Sequence, residues 1–435
     1  MPETPTKFPD GFLWGVSTSG DQYGDNFGGL TDWREFEREM SGNLACCAKD
    51  KDYGNGPLPE EIWERVGTTA SDPDSYVSGK ACEWWDGRWK EDLDRAKDLG
   101  INAIRFSIEW ARLQPVKDGP LEPIAINHYR EVIQGCRDRN IEPIVTLHHF
   151  VNPLWVAEDG GWENHKTVDR FTHYAAAVVQ SLEGTVNKFI IFNEPDIYTS
   201  QGYFVGAWPP QKKSLFSMIS VRQNLIEAHS KTYDAIKAIY KKLDKEVKIS
   251  STVNLAYVEP KSKRVVDKMG ATIFKKLDNG LFLPYMVDKM DFIALNHYMH
   301  HVKKGLNPAK NYNENPPDEV RSDLGWYVNP ESLYHVLMSL KKYDKPIYIM
   351  EHGVADAGDR IRPWLIEETF KWIRKALKDG VDLRSYFHWS LVDNFEWNKG
   401  WFPKFGLIEL NETTKERTVR QSGIVYSRCI KEAES

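Results

Sequence analysis

Short, unbroken apolar runs punctuate this chain: "FLWGVS" (12–17), "AIRFSI" (103–108), "PIVTLHHF" (143–150), "KFIIFN" (188–193), "VKISSTV" (247–253), "DFIALNHY" (291–298), "PIYIMEHG" (346–353) and "SYFHWSL" (385–391). Continuous runs, unlike alternating ones, suit strands covered on both faces, as in a parallel sheet. Between them the apolar period changes to that of a helix. Tyr129, Val132, Ile133 and Cys136 fall at i, i+3, i+4, i+7, and Val168, Phe171, Ala175, Val178 and Leu182 form a similar stripe. Ile366, Phe370, Ile373 and Leu377 form a third. Strands and helices in alternation over one long chain predict an α/β fold, a single (β/α)8 TIM barrel with one domain spanning residues 1–435. An open doubly wound sheet is the runner-up, but no glycine-rich phosphate turn follows a strand.

Two polar, Gly- and Pro-rich stretches break the alternation, one at 40–80 and one around 303–325. They read as long loops after strands, the segments that build a substrate cleft on a barrel.

Composition narrows the function classes. With 435 residues, 41% of them hydrophobic, there is ample material for a large core. A net charge of −6 with no basic stripe argues against a nucleic-acid partner. No apolar stretch is long enough to span a membrane. The opening "MPETPTKFPDGFLWG" lacks the basic start and apolar core of a signal peptide. Cys46, Cys47, Cys82, Cys136 and Cys429 are odd in number and lack metal spacing, so reduced thiols in the cytoplasm are expected. The 16 Trp raise the case for sugar binding, although large core residues account for them more simply.

The chemistry gathers where the strands end, the rim that carries the active site in such barrels. Those ends hold Arg105, His148 and His149, Asn193 and Glu194, Asn296 and Tyr298, Glu351 and His352, and Trp389 with Asn394, Glu396 and Trp397 beyond it. Any one of them has a structural reading, as an ion-pair partner or a satisfied core histidine. Agreement on one rim is harder to obtain by chance. Glu194 and Glu351 are expected to face each other across the mouth. Two carboxylates flanking a cleft are the equipment for glycosidic bond cleavage, one as acid and one as nucleophile or base. With Arg105 and Tyr298 beside it, Glu351 is expected to stay ionised, while Glu194 holds a proton.

At this point the chain resembles glycoside hydrolase family 1, the retaining β-glucosidase and β-galactosidase family, from Phe8 to about Ser427. The resemblance lies in "FPDGFLWGVSTSGDQ", "INAIRFSIEWARLQP", "TLHHF", "FNEP", "ALNHY", "IMEHG" and "HWSLVDNFEWNKGWFPKFGL", all in the family's order. It implies Glu194 as acid/base and Glu351 as nucleophile, tuned by Arg105 and Tyr298. It also implies sugar contacts from Gln22, His149, Asn193, Asn296, Glu396, Trp397 and Phe405, with Trp389 under the ring and Trp326 on the aglycone side. No cofactor and no metal are implied, and the partner is a small carbohydrate. Members that take 6-phospho-sugars replace the Glu of "DNFEW", so its retention as Glu396 favours unphosphorylated glycosides. The chain departs from the family in three places. His352 follows the nucleophile where Asn is commoner, "QYGDN" lacks a Glu, and "ACEWWDGRWKEDL" carries Trp84 and Trp85, read as repacking of the barrel wall.

Two rivals remain at this stage. A silent sugar-binding barrel needs no carboxylate pair. A metal-dependent hydrolase is prompted by "LHHF" and by His297, His300 and His301, but the first strand lacks the His-x-His such barrels begin with.

Overall fold

The computed structural model describes residues 7–23, 30–49, 58–79, 83–306 and 320–435. The strands in chain order are β1 (Leu13–Ser17), β2 (Ala103–Ser107), β3 (Glu142–His148), β4 (Lys188–Phe192), β5 (Lys248–Ser250), β6 (Thr252–Asn254) and β7 (Tyr257–Pro260). They continue as β8 (Ile293–His297), β9 (His300–Lys303), β10 (Ile347–His352), β11 (Leu383–Trp389), β12 (Ile408–Leu410) and β13 (Arg417–Val419). The main sheet is parallel and runs β5-β4-β3-β2-β1-β11-β10-β8-β6. Its two ends, β5 and β6, are halves of one extended segment separated by Ser251, so the sheet closes on itself as an eight-stranded barrel. The expected (β/α)8 architecture is the one found. Each of the eight apolar runs overlaps a barrel strand, the fifth run holding β5 and most of β6.

The period-2 rule of a strand explains what fills the barrel. Ala103, Ile144, Ile190, Ala294, Met350 and Phe387 belong to one wholly buried apolar cluster. Two residues further along three of these strands, Arg105, Thr146 and Asn296 are equally buried but polar. An apolar plug therefore gives way to a polar layer just below the rim. The helices whose stripes the sequence showed pack outside, at Pro123–Asp138, Lys166–Ser181 and Arg362–Lys378. β7 pairs with β9 and β12 with β13, outside the barrel.

The stretch 40–80 differs from its reading as a polar loop. Helix Asp32–Cys46 runs into it, started by Thr31, whose side chain accepts the Arg34 N–H at 3.2 Å. Helix Glu60–Ala70 follows, burying Ile62, Val66 and Ala70 at i, i+4, i+8. Residues 50–57 and 80–82, with Cys82 among them, lie outside the described residues, as do 24–29 of the "QYGDN" departure and 307–319 of the second stretch.

Candidate active site

Three local devices aim the two glutamates. Glu194 ends β4 with φ of 37°, a left-handed conformation that costs a non-glycine residue energy and is held by its surroundings. Its N–H donates to Thr252 Oγ1 at 3.0 Å, tying it to the next barrel strand. Glu351 follows a register shift between β10 and β8, an extra residue of the kind that re-aims a side chain near a functional site. Gly353 comes two residues later, where a Cβ would collide with the Trp389 carbonyl oxygen, so the chain turns there only as glycine.

The two carboxylates have different neighbours. Glu351 Oε1 accepts from Arg105 Nη1, and Oε2 accepts from the Tyr298 hydroxyl at 2.8 Å. Glu194 receives only neutral amides, Asn254 at 3.0 Å and Asn296 at 2.8 Å, both on Oε1. Burial pushes Glu194 well above the usual carboxylate range, and the charges of Glu351 and Asp196 push it further. Burial raises Glu351 as well, but Arg105 and Tyr298 draw it back.

Arg105 is fully buried and holds the layer together. It bonds Thr146 Oγ1 at 2.9 Å through Nε and Asn193 Oδ1 at 2.5 Å through Nη2, besides Glu351. Asn193 Oδ1 also accepts from Thr252 at 2.8 Å and from Asn296 at 3.3 Å. Three donors on that oxygen fix the amide, so its Nδ2 faces His149 Nε2 at 3.1 Å as donor. The remaining imidazole proton then sits on His149 Nδ1, a buried nitrogen with no hydrogen-bond partner among the described residues. On the far side Gln22 Nε2 and Asn394 Nδ2 both reach Glu396 Oε2, at 3.3 and 3.1 Å. Burial lifts Glu396 to about 7, against the pull of Lys399.

These groups open onto one cavity of about 710 Å³. Of the residues singled out in the sequence, Gln22, His149, Asn193, Glu194, Tyr298, Trp326, Glu351, Trp389, Glu396, Trp397 and Phe405 line it. Arg105 and Asn296 do not. Both are wholly buried behind the wall, and Asn296, expected to touch sugar, is turned onto Glu194 instead.

With this arrangement in view, comparison with known proteins is decisive. The profile of glycosyl hydrolase family 1 matches residues 53–287 and 283–435. The chain belongs to glycosyl hydrolase family 1. It is 28% identical over 478 residues to 1,4-beta-D-glucan glucohydrolase of Thermotoga neapolitana, covering 98% of each chain. It is 30% identical over 428 residues to beta-glucosidase A of Acetivibrio thermocellus, covering 87% of this chain and 94% of that one. Its fold matches the beta-glycosidase from Pyrococcus horikoshii with a TM-score of 0.80 at 29% identity, over 99% of this chain and 96% of that one. This family 1 protein is accordingly a glycoside hydrolase, a β-glycosidase.

Some residues of the β-glycosidase site escaped the sequence reading. Asn254 ends β6, one residue past the fifth apolar run, and the rule that selected the other strand ends would have selected it too. Phe36, Met40 and Leu44 line the cavity as one stripe of helix Asp32–Cys46. Three of the five histidines that prompted a metal reading are engaged elsewhere: His148 bonds Asn152 at 3.1 Å, His297 bonds Leu255 O and Ser332, and His300 bonds Glu259 at 3.0 Å, while His149 and His301 line the cavity. Trp84 donates to Asp92 at 2.9 Å, and Trp85 stacks on His128 with ring centroids 3.8 Å apart. Neither Trp lines the cavity. Among the described residues no helix is long and apolar enough to cross a membrane.

Proposed function

We propose that this β-glycosidase hydrolyses terminal, unphosphorylated β-D-glucosyl residues by double displacement, accepting β-galactosyl and β-fucosyl analogues as well. The observation that carries it is the unequal setting of the two glutamates. Glu351, anchored by a guanidinium and a phenol, is the nucleophile: an oxygen lone pair attacks the anomeric carbon as the bond to the leaving oxygen breaks. Glu194, protonated at neutral pH, gives its proton to that oxygen. Its Oε1 is occupied by the two amides, which leaves Oε2 to carry the proton. Water then attacks the glycosyl-Glu351 ester, Glu194 takes the water proton, and both carboxyl groups return to their starting states.

Retention is supported by Asn296, whose amide bonds Glu194 and also acts on Glu351. One side chain serving both carboxyls leaves little room for the interposed water of an inverting site, where they stand about 6.5–9.5 Å apart. For the glycone, the His149 Nδ1–H, Asn193, Gln22 and Glu396 offer hydroxyl partners, and Trp389 offers a flat apolar face to the ring. Glu396, ionised in part near neutral pH, disfavours a phosphorylated sugar. The names of the two glucan- and glucoside-cleaving relatives point the same way.

The test is nitrophenol release from 4-nitrophenyl β-D-glucoside. Glu351→Gln is expected to abolish turnover. Glu194→Ala is expected to slow alkyl glucosides by at least 100-fold while sparing glycosylation by substrates whose leaving group needs no proton, general acid assistance being worth about 10²–10⁴-fold. Turnover by Glu351→Gln at the wild-type rate defeats the proposal.

A further inference from the structure

The cavity extends past the acid. Gln22, Asn394 and Glu396 form one hydrogen-bonded group on the glycone side. In the other direction Asn254 connects outward from Glu194, its side chain on Glu194 Oε1 and its N–H donating to Asp196 Oδ2 at 3.2 Å. Asp278 is the next charge along that path, close enough to act on Asp196, and it lines the cavity with Asn254, Met299 and His301. The acid protonates the leaving oxygen, so this is the side the leaving group occupies.

Asp278 is held in place. It is the last residue of helix Val265–Asp278, and its neighbour Asn279 bonds the Ala256 backbone in both directions, at 3.1 Å from the N–H and 2.8 Å to the carbonyl. The helix gains nothing from this residue, because the C-terminal dipole end disfavours an anion. Burial lifts the carboxyl to about 6 and Lys303 lowers it, so it is ionised at neutral pH. Lys303 lies beneath, with Nζ 3.3 Å from the centre of the Phe274 ring. A partly buried carboxylate on a cleft wall asks for hydroxyl donors from whatever covers it. An alkyl or aryl group would strip its water and return no hydrogen bond, which is costly for a charge. A second pyranose returns several, and its C–H face has apolar partners in Met299 and Trp326, which line the same cavity. At about 710 Å³ the cavity lies in the upper half of the roughly 300–1,000 Å³ typical of ligand sites, room beyond one sugar ring.

We propose that Asp278 selects a saccharide as the leaving group, by accepting hydrogen bonds from its hydroxyls, so that the preferred substrates are β-linked glucose oligosaccharides. The inference rests on the glycosidase reading above. Its test is a ratio: kcat/KM for the better of cellobiose and laminaribiose, divided by kcat/KM for 4-nitrophenyl β-D-glucoside. Asp278→Ala is expected to lower that ratio at least tenfold, mainly through the disaccharide KM. Asp278→Asn, nearly isosteric and still an acceptor, is expected to lower it about threefold or more. Partial misfolding lowers both rates alike and leaves the ratio unmoved, and the Asn variant carries the test if the Ala variant does not fold. A ratio within twofold of wild type in both variants overturns the proposal. So does a wild type that cleaves the aryl glucoside but neither disaccharide. A wild type silent on all three substrates overturns the glycosidase reading first, and this one with it.

Discussion

Glu194 and Glu351 are the same side chain at the ends of two strands of one barrel, and their surroundings alone give them different work. The difference is sharp enough to be titrated. Tyr298 donates to Glu351 at 2.8 Å and lowers its pKa. Tyr298→Phe removes that donor, so Glu351 keeps its proton to higher pH. The acidic limb of the kcat/KM profile is expected to move upward in pH, with kcat lower by about tenfold, the scale of one hydrogen bond to a charged group. The alkaline limb has the opposite origin. Glu194 is raised by burial and by the charges of Glu351 and Asp196, so it keeps its proton to higher pH than an ordinary carboxylate and loses it as pH rises through its folded pKa. Activity on poor leaving groups is expected to fall along that limb, and Glu194→Ala is expected to remove the limb from a pH–rate profile.

At the scale of elements, the site depends on a loop that one buried ion pair holds closed. Asp393 accepts a fork from Arg420, at 2.7 and 2.9 Å, and the N–H groups of Gly406 and Leu410 at 3.0 and 3.3 Å. The same loop carries Asn394, Glu396 and Trp397 to the cavity. Asp393→Ala leaves a buried guanidinium without its partner, a loss of about 3–5 kcal/mol. Denaturant titration is expected to show that loss with an unchanged slope, and the sugar KM is expected to rise because Glu396 is no longer held. The strands and outer helices were legible because each keeps one period throughout. Helix Asp32–Cys46 was not, because its stripe of Trp33, Phe36, Met40 and Leu44 straddles the start of the polar stretch, leaving only about its last two turns inside. Helix Glu60–Ala70 was hidden for a similar reason: its buried face is narrow, and its flanks are rich in Gly and Pro.

For the whole molecule, closure of the barrel is what converts eight separate strand ends into one site. Residues as far apart as Gln22 and Glu396 become hydrogen-bonded neighbours because β1 lies between β2 and β11. That placement could be read from the sequence, since the order of strands around a (β/α)8 barrel follows the order in the chain. Orientation behind the wall could not. Asn296 stands at a strand end like the residues that line the cavity, yet its amide is turned onto Glu194. The tautomer of His149 depends on three donors from three different strands converging on Asn193, which no local pattern encodes. Asp278 was equally hidden, since it ends a helix outside the barrel and reaches the cavity only through the bond of Asn279 to Ala256.

The account stands on Glu351 forming a covalent bond to the sugar. The direct measurement is intact-mass and peptide analysis after incubation with 2-deoxy-2-fluoro-β-D-glucosyl fluoride, whose 2-fluorine slows both formation and breakdown of the ester while its good leaving group restores formation, so that the ester accumulates. One fluoroglucosyl adduct per chain is expected, on the peptide that contains Glu351, with none in Glu351→Gln and with the β anomer as first product of ordinary hydrolysis. An α-anomeric first product, or an adduct on any other residue, would contradict it.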